Sequence, residues 1–308
     1  MEKTQRLLAA GILLGLSSHS AQAVVFDIDY SYDSHNFFAD PLRRDIFQAA
    51  ANFFEIHLSD ELRAITSSGV NRYDAIFSRP DTGVSMTLNN FSVAANTLTL
   101  FVGGQNLGGA TLGLGGPGGY SVSGTTSFLN NAISRGQGNG TQGVVEGSGA
   151  YDFAPWGGSV SFNTASHWYF DNDVSTNEAF SGSDFFSVAL HEIGHALGFG
   201  IADSWENQII AGAFAGANSA SLFGGNVPLS GDHVHWAEGT QINGWETAFD
   251  PTLTNGTRKR LTQLDLAALQ DIGWQVTPIP LPGAVWLFAS ALLGLMGVSR
   301  KRNSVAAS

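Results

Sequence analysis

Residues 191–200 read HEIGHALGFG, and this stretch constrains the chain more than any other. Upstream, in SGSDFFSVAL, the apolar stripe Phe186, Leu190, Ile193 and Leu197 recurs at helical spacing. The pattern predicts a helix from near Ser183 to Gly198. On such a helix His191 and His195 stand four residues apart, so both imidazoles project from one face, one turn apart. Gly198 and Gly200 then permit a left-handed turn that ends the helix and reverses the chain.

Two imidazoles one turn apart have the geometry that two ligands of one zinc ion need. Glu192 lies beside the pair and can reach a metal-bound water without ligating the ion. A site with three protein ligands needs one more from elsewhere, because Ile201 carries no ligand atom and Asp203 is displaced by two residues. The segment SGDHVHWAEGT, residues 230–240, holds both histidines that follow His195. His235 is the favoured third ligand and His233 the alternative. Asp232 is positioned to accept from the ligand's other ring nitrogen, and Trp236 to shield one side. A glutamate (Glu206, Glu238 or Glu246) is the other way to complete the set.

Elsewhere, VFDIDYSY at 25–32 alternates as a strand does, and TLTLFVGG at 97–104 reads as a second strand. Asp40-Pro41 is a helix start, and Leu42, Ile46, Ala49, Ala50, Phe53 and Phe54 predict an amphipathic helix over 41–63. Sixteen glycines between Gly103 and Gly149 preclude a long helix there; turns, short strands and exposed loop are expected. GLGGPGG is no phosphate loop, since no Lys-Ser/Thr follows it. Residues 157–170 return to strand-like alternation. The 199–234 excursion has the composition of a loop with one short helix over 204–213. Leu264, Leu266, Ala268, Leu269 and Ile272 predict a closing helix. His57 and His167 read as structural histidines. Asp171 and Asp173, in FDNDVS, offer carboxylate oxygens to a structural Ca2+.

The two ends have a different character. Residues 1–23 join Lys3 and Arg6 to the apolar run Leu7–Leu16 and then Ala21-Gln22-Ala23, the pattern of a secretory signal peptide. Residues 276–308 hold Pro278-Ile279-Pro280-Leu281-Pro282, an uncharged run from Ala284 to Val298, and the cluster Arg300-Lys301-Arg302. As a helix that run is roughly 22 Å long, a marginal membrane span with its basic end on the cytoplasmic side. The chain has no cysteine, which excludes disulfides, thiolate zinc ligands and a cysteine nucleophile. Its formal net charge of −12 argues against nucleic acid as a partner.

HEIGHALGFG resembles the zinc site of the metzincin peptidases, and its Ala-Leu-Gly run is similar to the matrixins. The delayed third histidine is similar to leishmanolysin. The tail resembles the bacterial PEP-CTERM sorting signals, in a variant with a Pro-Leu-Pro core and no glutamate. The segments VPLSGDHVHWAEG and FDPTLTNGTRKRLTQLDLAALQDIGW resemble bacterial exported peptidases that carry such a tail. The resemblance implies an α+β fold: a twisted mixed β-sheet, an active-site helix and a small C-terminal subdomain, together spanning residues 24–275. It places Phe249 where metzincins carry a methionine below the zinc, followed by Asp250 and Pro251. It implies an exported zinc-dependent endopeptidase with Zn2+ on His191, His195 and His235 and Glu192 as general base, acting on a protein or peptide. It also implies a membrane sorting or processing enzyme as partner of the tail, with transient anchoring before release to the cell surface or medium. The rival reading is a non-catalytic extracellular-matrix or adhesive protein that keeps a relic metal site. Retention of Glu192 argues against that reading, because a purely structural site does not need the carboxylate.

Overall fold

The computed structural model describes residues 24–277 except 172, 176 and 177. The chain enters through strand β1 (Val25–Asp29) and helix α1 (Pro41–Glu55). Strands β2 (Arg72–Ser78), β3 (Ser85–Leu88), β4 (Thr97–Gln105), β5 (Gly113–Pro117) and β6 (Gly119–Ser123) follow. Next come α2 (Thr126–Ser134), β7 (Gly157–Asn163), the two-residue strands β8 (Trp168–Tyr169) and β9 (Ser183–Asp184), and α3 (Phe185–Ala196). Beyond α3 lie α4 (Asp203–Glu206), a small sheet of β10 (Ile209–Ile210), β11 (Ala213–Phe214) and β12 (Val227–Pro228), then α5 (Ala217–Phe223) and the closing α6 (Gln263–Asp271). The fold is α+β, as expected.

The main sheet has the order β1-β4-β7-β5 and is mixed. β1, β4 and β7 run parallel, and β5 joins β7 antiparallel at the edge. Side chains alternate along β4, as the two-residue strand period requires. Leu98, Leu100 and Val102 join the larger core with Ile46, Phe47 and Phe54 of α1 and Phe185, Val188 and Leu190 of α3. Phe101 points the other way, into a second core with Tyr73 and Phe77 of β2, Phe128 of α2, and Trp156. Helices α1 and α3 therefore cover one face of the sheet, and the antiparallel β3-β2-β6 sheet with α2 covers the other. Each fully buried side chain of this size contributes roughly 1.5–3 kcal/mol.

Caps fix the helix ends. The Asp40 carboxylate accepts from Leu42 N and Pro41 fills the first helical position. Helix α1 ends at Glu55 rather than at residue 63. Beyond it, Ser59 N donates to Gln275 O and Leu58 bridges to Val276, so the chain leaves the helix to pair with its own C-terminal segment. The Asp184 carboxylate accepts from Ser187 N and starts α3.

Three further expectations are corrected. The 204–213 helix is only the single turn α4, because residues 209–214 pair as a hairpin and a second helix, α5, forms at 217–223. The glycine-rich region holds short strands, β5 and β6, as expected, and in addition the nine-residue α2, which falls in the glycine-free stretch 125–135. The strand reading of 25–32 stops at Asp29, and that of 157–170 breaks after Asn163. Among the described residues no helix is long and apolar enough to cross a membrane. The signal-like residues 1–23 and the apolar run Ala284–Val298 lie outside the described residues.

Candidate metal centre

The site is built on α3 and closed from below by the segment 230–251. Gly198 and Gly200 both take positive φ, +93° and +74°. Gly200 also presses against the Val234 backbone: a Cβ there would sit 2.1 Å from Val234 O. Helix α3 can turn under itself only because this position has no side chain. The same contact brings the 230–236 segment up to the two helical histidines.

Three imidazoles converge. His191 Nε2 lies 3.0 Å from His195 Nε2, His195 Nε2 lies 3.1 Å from His235 Nε2, and His235 Nε2 lies 3.2 Å from His191 Nε2. Each opposite ring nitrogen has an acceptor. His191 Nδ1 donates to Ala248 O (2.8 Å), His195 Nδ1 to Phe199 O (2.9 Å) and His235 Nδ1 to Asp232 Oδ2 (2.8 Å). A proton fixed on Nδ1 leaves the neutral ring's Nε2 with a lone pair and no hydrogen. Three such lone pairs facing one another repel unless a cation sits among them. Nitrogens bound tetrahedrally to zinc at 2.0–2.1 Å stand about 3.3 Å apart, so this triangle fits that ion closely. Burial holds His191 well below its ordinary pKa and His195 down to about 4, which keeps both rings neutral and ready to ligate.

Glu192 is buried beside the triangle. Desolvation pushes its carboxyl up to about 8, and the Gly115 backbone N–H pulls in the other direction. A dication next to it would likewise favour the carboxylate. Edge strand β5 lies directly over this residue. A Cβ on Gly113 would be 2.6 Å from Glu192 Oε1, and one on Gly115 would be 2.2 Å from Glu192 O. Sequence reasoning missed this role. The signal is visible in retrospect as the alternation of Gly113 and Gly115, one strand period apart.

Below the histidines, Phe249 stacks on Phe199 at 4.1 Å between ring centroids and lies 5.7 Å from the His191 ring. Gly194 admits that ring, which occupies the place a side chain would take. Pro251 lines the cavity in front. Buried Asp265 is a second feature missed in the sequence. It accepts from Trp236 Nε1, Ala248 N, Thr262 N and Thr262 Oγ1. It thereby ties the strands beside His235 and the acceptor of His191 to the start of α6.

The other candidates do not join the triangle. His233 takes φ +62° and lies with its Nε2 near Gly212. Glu238 and Glu246 group with Asp250 instead, beside the buried Lys259 ammonium, which pairs with Asp250 and with Glu246 at 3.3 Å. Asp203 accepts from Gly147 N, and Glu206 is exposed on α4. His57 stacks on Phe53 and bonds to its carbonyl. His167 packs against Gly182. The calcium reading gains no support: Asp171 pairs with the Arg258 guanidinium at 3.1 Å, and Asp173 accepts from Ser175 within its own turn. A cation is thus already supplied by Arg258.

A cavity of 660 Å3 opens in front of the three histidines, between β5 and the 248–253 segment. With this geometry in view, the comparison with known families adds a partial match. Residues 131–220 match the Matrixin family of peptidases. The match takes in α3, both helical ligands and Glu192, and it supports a metzincin-type zinc metallopeptidase. No curated protein and no solved structure matches the chain.

Proposed function

We propose that the protein is an exported zinc endopeptidase in which His191, His195 and His235 hold the ion and Glu192 is the general base. The observation that supports this most is the triangle of converging Nε2 atoms, 3.0 to 3.2 Å apart, with a buried carboxylate beside it. Bound there, zinc would polarise a scissile carbonyl and acidify a water. Glu192 accepts a proton at its carboxylate and passes it to the leaving amine. Its burial and the Gly113–Gly115 contact fix the carboxylate at one place and exclude bulk water from it.

The substrate is an extended polypeptide. β5 stands at the edge of its sheet with one side paired to β7, so its other side offers backbone groups to a peptide that adds as a further strand. Antiparallel addition is the more stable choice per residue. Export rests on the residue pattern of 1–23. The proline-rich start, apolar run and basic end of 276–308 support a sorting tail recognised by a membrane processing enzyme.

The test is Glu192→Gln. Zinc content stays at one ion per chain while hydrolysis of a casein or peptide-library substrate falls about 10^2–10^4-fold. Zinc-loaded wild type that cleaves none of these substrates, or a Glu192→Gln protein as active as wild type, would contradict the reading.

A further inference from the structure

Residue 201 stands where the compact form of the zinc motif would carry its third ligand, yet it is isoleucine. With the ligand supplied from His235, the side chain at 201 is free for another task. It lines the cleft, and 38% of its surface is exposed. Its position is set by the turn just described, since Gly200 is clamped on the Val234 backbone. The Ile201 Cδ1 reaches to 3.7 Å from the place a Cβ would occupy on Gly116 of β5. Val234, half-buried, lines the cleft at the same end, with its backbone against Gly200.

The cleft therefore has two chemically different ends. Going along α3, Ser187 comes first, then Glu192, then His195 and finally Ile201 beyond the helix. Ser187, Asp250, Thr252 and Lys259 bring polar and charged groups to the first end, among the apolar Val188, Pro251 and Leu253. Ile201 and Val234 make the far end apolar. β5 runs in the same sense, from Gly113 at Glu192 to Gly116 at Ile201. A peptide lying antiparallel to β5 must place its N-terminal residues at the Ile201 end.

We propose that Ile201, with Val234, forms an apolar subsite that selects a bulky apolar side chain on the N-terminal side of the cleaved bond. This rests on the peptidase reading above. Burying such a side chain against these two apolar groups removes water from both partners, whereas an acidic one would lose its solvation there without a counter-charge.

The test is a set of peptides varied at the three positions before the cut, assayed with wild type, Ile201→Ala and Ile201→Glu at full zinc occupancy. Wild type is expected to favour Leu, Ile or Phe over Asp by about tenfold or more in kcat/KM at one of these positions. Ile201→Ala lowers that ratio at least threefold. Ile201→Glu shifts the preference towards Lys and Arg, which a merely misfolded protein would not do. A wild-type profile that is flat at all three positions, or a ratio that both variants leave unchanged, overturns the proposal. If zinc-loaded wild type cleaves nothing, the peptidase reading falls by itself. Fluorescence anisotropy of labelled Leu- and Asp-containing peptides on the Glu192→Gln protein then decides the subsite: tighter binding of the Leu peptide supports it, and equal binding overturns it.

Discussion

Two stretches of the glycine-rich region use the same residue in opposite ways. In β5, Gly113 and Gly115 lie against Glu192, and any side chain there would occupy space that α3 already fills. In the loop that follows α2, Gly143 and Gly147 have nothing within 4 Å of where a Cβ would be. The first pair lets an edge strand ride directly on the helix that carries His191 and His195. The second pair fills an exposed connection. Glycine density does not separate the two cases. Backbone setting does: 113 and 115 share one face of a strand packed on α3, whereas Gly143 and Gly147 lie in an exposed connection outside any strand.

The contrast can be broken at either end. The largest effect is expected for Gly115→Ala. Its methyl would meet the Glu192 backbone carbonyl, which cannot move without shifting α3. The expected cost is at least about 3 kcal/mol, the upper range for overpacking, read as a fall in the denaturation midpoint together with lost hydrolysis. Gly143→Ala should change stability by less than about 0.5 kcal/mol and leave hydrolysis intact. Similar effects from both variants would erase the distinction.

A smaller effect, expected to fall between these two, concerns the packed half of the fold alone. Asp60 is fully buried where the C-terminal segment docks, and both its oxygens accept from Gln275 N. Burial pushes its carboxyl up to about 7. The folded protein therefore holds a proton there that the unfolded chain, with its carboxyl near about 4, has already released. Stability from this group is fully present below pH about 4 and is lost as pH rises through 7. Asp60→Asn should flatten the pH dependence of the melting temperature between pH 5 and 8. An unchanged slope would remove Asp60 as its source.

The same contrast between local and distant constraint explains what was legible in the sequence. His191, Glu192 and His195 sit on one helical turn, so their relation follows from the 3.6-residue period alone. Helix α6 and the β4 strand were readable for the same reason, as each carries its own apolar pattern. His235 was legible only as one of two candidates. What separates it from His233 is the left-handed backbone at His233 and the Gly200–Val234 contact. No short-range pattern encodes either feature. Strands β2 and β3 were not anticipated, because their burial depends on packing against Phe101 and Trp156 from far along the chain. Asp265 carries no signal of its own in the sequence, yet its carboxylate is fully buried by donors from three separate segments.

The account stands on the third imidazole. X-ray absorption at the zinc edge of the purified protein tests it directly, with the wild type compared against His235→Ala and His233→Ala. Three imidazole nitrogens and one oxygen are expected around zinc in the wild type and in His233→Ala, and one nitrogen fewer, with weaker retention of the metal, in His235→Ala. An unchanged three-nitrogen shell in His235→Ala would contradict the account.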